Sequence, residues 1–159
     1  MGTKSEALAT QFEAKAREAA ATLEKLTEAD WKKVTEAEKW TVGVTAHHLA
    51  RGLEAVAGII KGLVDGHSPA NFTTGMLDQM NAQHAKEHAN CTKVETAAIL
   101  KDGAVKAASV IRGLSDDQLA KSGVVFADAP PMTAEQLVQR ALIGHIDDHF
   151  ASIRKTVGG

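Results

Sequence analysis

Tyrosine is absent from this chain, cysteine occurs once, at Cys91, and proline only three times, at Pro69, Pro130 and Pro131. A lone cysteine excludes an internal disulfide. Prolines confined to two places leave long stretches free of helix breakers. No apolar run reaches the length of a membrane span or a secretory leader, so neither is expected. Neither sign of charge dominates: 18 basic and 20 acidic residues give a net charge of −2, and they are mixed along the chain. Without a Lys/Arg stripe or aromatic–basic interleaving, nucleic acid is not an expected partner. A myristoylation pattern at the N-terminus fails at Glu6. The glycosylation-type triplets starting at Asn71 and Asn90 carry little weight without secretion. A soluble, cytoplasmic protein without membrane partners is the expectation.

What the chain does have is alanine and helical periodicity. Its 159 residues suit one domain, 1–159, with enough material for a hydrophobic core. Leu8, Phe12, Ala16, Ala19, Leu23 and Leu26 recur at steps of three and four, which predicts a helix from about Ser5 to Leu26. A connector follows, with Trp31 and Trp40 packing over a bundle end. Thr41 is placed to cap a second helix that runs to about Val64 and stops at Asp65-Gly66. After a loop through Pro69, a third helical region starts near Gly75 and breaks at Asn90-Cys91, because Thr92 and Glu95 have capping-box spacing. It reaches Leu114. Ser115–Gln118 opens a short turn, Val124–Phe126 is a candidate lone strand, and Thr133 with Gln136 starts a final helix ending near Val157. The expected fold is all-α, a four-helix bundle with long crossover connections.

The histidines carry the chemistry. On the last helix His145 and His149 are separated by about 40° and flank the apolar face of Leu142, Ile146, Phe150, Ile153 and Val157. On the second helix, "AHHLARG" holds two histidines about 100° apart. His48 shares a line with Val44, Gly52, Ala55, Ile59 and Leu63 and is expected inward; His47 is expected on the wet side. Three imidazoles, His48, His145 and His149, would then meet and leave coordination positions open, which suits Zn, Ni or a related divalent ion. The plain alternative is a set of core histidines satisfied by hydrogen bonds. A second pair, His84 and His88, could bind metal, line a pocket or face solvent. Pocket lining is the expectation for His84 and solvent for His88.

Other site types are missing. No histidine has Glu three residues before it, as di-iron bundles require. HExxH, a P-loop, dinucleotide-binding glycines and Gly-x-Ser-x-Gly are all absent. Cys91 reads as a small buried hydrophobe.

The ordered segments "KWTVGVTAHHLARG", "MLDQMNAQHAKEH", "LSDDQL" and "ALIGHIDDHFASIR" resemble the DinB/YfiT-like superfamily. The likeness is strongest to the branch of the mycothiol-dependent maleylpyruvate isomerase N-terminal domain, and it runs from about Ala7 to Ile153. The resemblance implies a DinB-like bundle with one divalent metal on His48, His145 and His149, often in a homodimer. It also places Asp78 and Asn81 near the pocket. It implies a metal-dependent enzyme, a thiol-dependent transferase or isomerase or a hydrolase, acting on a small molecule. A low-molecular-weight thiol is the implied co-reactant. Asp78, His84 and His47 are the acid–base candidates, and Asn81 a cofactor contact. The alternatives are a metal-organised ligand-binding module without turnover and a bundle without metal.

Overall fold

The apolar repeat near the N-terminus becomes the inner face of the first helix of a four-helix bundle. The computed structural model describes residues 2–68 and 71–158, so Pro69 of the first loop lies outside the described residues. Helix α1 (Thr3–Lys25) buries Leu8, Phe12, Ala16, Ala19 and Leu23, as its periodicity requires. A short α2 (Glu28–Lys32) is opened by a capping box between Thr27 and Asp30. Helix α3 (Val42–Val64) starts at Thr41, whose side chain accepts from the Val44 N–H. It stops where Gly66 takes up positive φ, 86°, a conformation that costs glycine nothing.

The expected break in the third region is real. It separates α4 (Thr74–Glu87) from α5 (Lys93–Arg112), whose N-cap Thr92 accepts from the Glu95 N–H. Helix α6 (Asp116–Ala120) and the short α7 (Ala134–Leu137) both begin with capping boxes, Ser115 with Gln118 and Thr133 with Gln136. Helix α7 runs through a π-helical segment, Val138–Ile143, into α8 (Gly144–Val157). The sequence predicts a single uninterrupted helix here. The π segment adds width just before His145, a placement such segments often take at functional sites.

Helices α1, α5, α3 and α8 pack in a ring, each against the next, with α4 lying against α3 on the outside. Phe12, Leu23, Leu49, Leu53, Ile60, Leu100, Ile111, Leu142, Phe150 and Ile153 fill the centre. The candidate strand at Val124–Phe126 forms elsewhere. The antiparallel pair is β1 (Ser122–Gly123) with β2 (Met132–Thr133), because Val125 turns into the core and Phe126 stacks on Phe72 with ring centroids 5.7 Å apart.

Trp31 is buried and ties three elements together. Its indole Nε1 donates to the Cys91 carbonyl at 2.8 Å, and its ring lies on Gly43 so closely that a Cβ there would sit 2.4 Å from Nε1. Gly43→Ala is therefore expected to destabilise the fold by about 1–3 kcal/mol through overpacking. That is a fall in melting temperature of roughly 3–10 °C for a chain of this size. Gly58→Ala on the same helix meets nothing within 4 Å and should instead gain up to about 1 kcal/mol from helix propensity. Thermal melts of the two variants check the contrast.

Candidate metal centre

Two histidines at consecutive helical positions cannot face the same way. The inner stripe of α3 is Ala46, Leu49, Ala50, Leu53, Ala57 and Ile60, centred about 150° from His48 and about 110° from His47. Neither ring therefore enters the central core, His47 lying to one side of the inner stripe and His48 on nearly the opposite face of the helix. The expected order is also corrected: His47 is fully buried, at 0% exposure, and His48 is half-buried. Along the line grouped with His48, Val44 and Leu63 are buried, but Ala55 is exposed and Gly52 and Ile59 are half-buried. His47 is covered because α4 crosses that side of α3, a packing that no periodicity within α3 announces.

His48 meets His145 and His149 of α8. Ring centroids lie 6.0 Å and 5.2 Å from His48, and 4.9 Å from each other. One donor atom of each falls within 4.8 Å of the others, close enough to hold a metal ion. Trp40 stands edge-on to His48 at 5.2 Å. The connector before α3 adds a residue the sequence does not single out, Glu38. Its Oε2 lies 2.7 Å from His149 Nδ1, and its Oε1 accepts from Ser152 Oγ at 2.6 Å. A carboxylate on Nδ1 fixes the tautomer and leaves Nε2 free as a donor, the usual outer support of a histidine–metal bond. Glu38 carries no sequence signal, since it reads as one more acid in a polar connector.

Electrostatics favour neutral imidazoles. Desolvation, reinforced by the neighbouring His149, His145 and His84, pulls His48 from 6.5 to about 4. Burial also lowers His145, with His149 adding to the effect. For Glu38, burial pushes the carboxyl up, but hydrogen bonds with Ser152, His149 and Thr35 outweigh it and hold it below the ordinary carboxylate range. Ligation needs neutral rings, and burial favours that form at His48 and His145.

A second set lies beside the first. His47, His84 and His88 also bring three donor atoms within 4.8 Å of one another, and His84 is 5.9 Å from His48 by ring centroid. His88, expected in solvent, is half-buried and stacked on His47 at 4.3 Å. Asn81 is half-buried one turn before His84, whereas Asp78 is exposed, about 120° around α4 from His84. Cys91 is half-buried, and burial raises its thiol, with the neighbouring Thr96 pulling the other way. It stays protonated.

Residues 12–142 match the family model described as the mycothiol maleylpyruvate isomerase N-terminal domain. His145 and His149 follow just beyond that segment. Among solved structures, the chain resembles a mycothiol-dependent maleylpyruvate isomerase at 13% identity and a TM-score of 0.73, covering 94% of this chain and 60% of that one. A mutant of the same enzyme gives 14% identity and 0.70, covering 96% and 65%. At such identities the likeness is one of fold, and the chain spans less than two thirds of those proteins' length. No curated protein matches the chain. The family match takes in well over half of the residues, and the chain belongs to the mycothiol maleylpyruvate isomerase N-terminal domain family, a DinB-like helical bundle.

Proposed function

We propose that His48, His145 and His149 hold a divalent ion and that the protein is a metal-dependent enzyme acting on a small molecule with a low-molecular-weight thiol or water. One observation carries this: three imidazoles from two neighbouring helices converge within 4.8 Å, and Glu38 already pins one of them. An all-imidazole donor set suits Zn or Ni. When bound with a position open, such an ion lowers the pKa of a coordinated thiol or water, so a nucleophile exists near neutral pH.

The chain's own groups do the rest. Glu38 accepts a hydrogen bond from Nδ1–H of His149 and keeps its Nε2 aimed at the site, while Ser152 holds the carboxylate in place. Trp40 shields one edge of His48. The mycothiol named for the related isomerase makes a thiol the first co-reactant to try. Asp78 and Asn81 enter on resemblance alone, as a proton carrier at the rim and a polar contact to thiol or substrate. His84 is hydrogen-bonded to His47 and belongs to the second histidine set. A homodimer in the cytoplasm completes the proposal, with Val34, Met80, Val94 and Val105 giving exposed apolar surface.

Replacing His145 and His149 together by Gln should remove one bound ion per chain and all thiol-transfer activity while leaving the fold intact, as read by elemental analysis and circular dichroism. Glu38→Gln should weaken that ion's affinity by roughly 10- to 100-fold, measured by chelator competition. Full metal retention in the double variant sinks the assignment. Metal binding without turnover across a screen of thiols and small acceptors would instead favour a binding module.

Stability should also follow pH with a definite sign. His47 and His48 are held at about 4 in the fold, below the ordinary 6.5, so the unfolded chain binds more protons between those values. Metal-free protein is therefore expected to lose stability as pH falls from about 6.5 to about 4, by up to about 1.4 kcal/mol per pH unit for each ring. Glu38, with its lowered carboxyl, adds a loss of the same sign only at lower pH. Melting curves of chelator-treated protein at several pH values read this, and a flat profile across that window contradicts the burial argument. The homodimer is tested by light scattering at micromolar concentration, where a monomer mass would refute it.

A further inference from the structure

Helix α4 buries none of its side chains, yet it lies against α3 and covers the fully buried His47. Its anchors sit mostly at its ends. Thr74 binds Asp128 through its backbone N–H and its hydroxyl, at 2.9 and 2.5 Å, and Trp31 holds the Cys91 carbonyl just past the other end. Between them the link to α3 is three imidazoles, with His84 and His88 packed on His47 at 4.9 and 4.3 Å.

Hydrogen bonding alone satisfies this cluster poorly. His47 Nδ1 faces His84 Nε2 at 2.8 Å, and two neutral rings share a single proton there. Nε2 of His47 and Nδ1 of His84 are then buried without any partner, although buried polar atoms are normally paired. We infer that His47, His84 and His88 form a second divalent-metal site, of the Zn or Ni class, which clamps α4 to α3. The donor atoms already lie within 4.8 Å of one another. Donors in a tetrahedral zinc site stand about 3.3 Å apart for bonds of about 2.0–2.1 Å, so the two facing nitrogens need part by only about half an ångström. Ligation there needs only the one proton shared between the facing nitrogens to move, to the outer nitrogen of the ring that carried it, since the other ring's proton is already on its outer nitrogen. The Glu95 carboxylate, 3.9 Å from Nε2 of His47, is placed to accept a hydrogen bond from the N–H there, as Glu38 does from Nδ1 of His149.

This inference stands independently of the first site. Untagged protein, stripped with chelator and titrated with Zn at about pH 8, where imidazole is neutral, should bind about two ions per chain. The His84→Gln/His88→Gln variant should bind one, and His145→Gln/His149→Gln should bind the other. Circular dichroism checks that each variant folds. If the former variant does not fold, His88→Gln alone, at a half-exposed position, should still weaken one site by more than about 10-fold. In the His145→Gln/His149→Gln protein, Zn should slow amide exchange in α4 at least about ten-fold, the signature of a clamp on a weakly anchored element. Wild-type stoichiometry retained after replacing His84 and His88 overturns the inference, as does unaltered exchange in α4. A single ion lost with His84 and His88 but kept without His145 and His149 upholds it and refutes the first site instead.

Discussion

Adjacent residues on an α-helix point about 100° apart, and both histidine sets depend on that angle at His47 and His48. A single capped helix end feeds two clusters, one shared with α8 and one with α4. Neither ring enters the central core, where Leu49, Leu53 and Ile60 are packed. The flanks of α3 near its start are therefore closed by other elements. The buried Trp31 on Gly43 fixes where that start lies, and the Thr41 cap fixes its phase.

The same closure that gathers the imidazoles favours the neutral form of His47, His48, His84 and His145. Desolvation is the leading cause of the depressed basicity at His47, His48, His84 and His145, with neighbouring imidazoles adding to it. A neutral ring has a free lone pair, and a free lone pair buried without a partner lowers stability. Nature's usual resolution of that conflict is a ligand or a strained functional site. Glu38 and Ser152 show the conflict partly resolved at His149, whereas Nε2 of His47 and Nδ1 of His84 show it unresolved.

The helices were legible because local chemistry sets them. Caps at Thr41, Thr92, Ser115 and Thr133 form as their spacing requires, and the apolar repeat of α1 is buried throughout. The spacing of His145 and His149, together with the resemblance, placed them beside His48. What the sequence hid was tertiary. The side on which α4 crosses α3 decides that His47 is buried, and the fold of the connector brings Glu38 to His149. The phase of α3 was misread for a related reason: a helix enclosed on several sides has apolar residues nearly all round. A chosen line such as Val44, Gly52, Ala55 and Ile59 then looks like a face without being the core face. The π segment was invisible because Val138–Ile143 is ordinary helical sequence, whose widening is set by packing.

Helix α4 buries none of its side chains, and it is also the cover over His47. Such an element opens locally at lower free energy than the bundle it rests on. The bundle of α1, α3, α5 and α8 can thus stay rigid and hold His48, His145 and His149 in register. Helix α4 itself is held by contacts at its ends, through Asp128 and Trp31, and by the imidazoles at its middle. A cover with a greasy inner face would bury more apolar area and hold tighter, but it would leave no donors beside His47. The choice of histidine over leucine at His84 and His88 gives up that apolar anchorage and makes attachment of α4 depend on what the imidazoles bind.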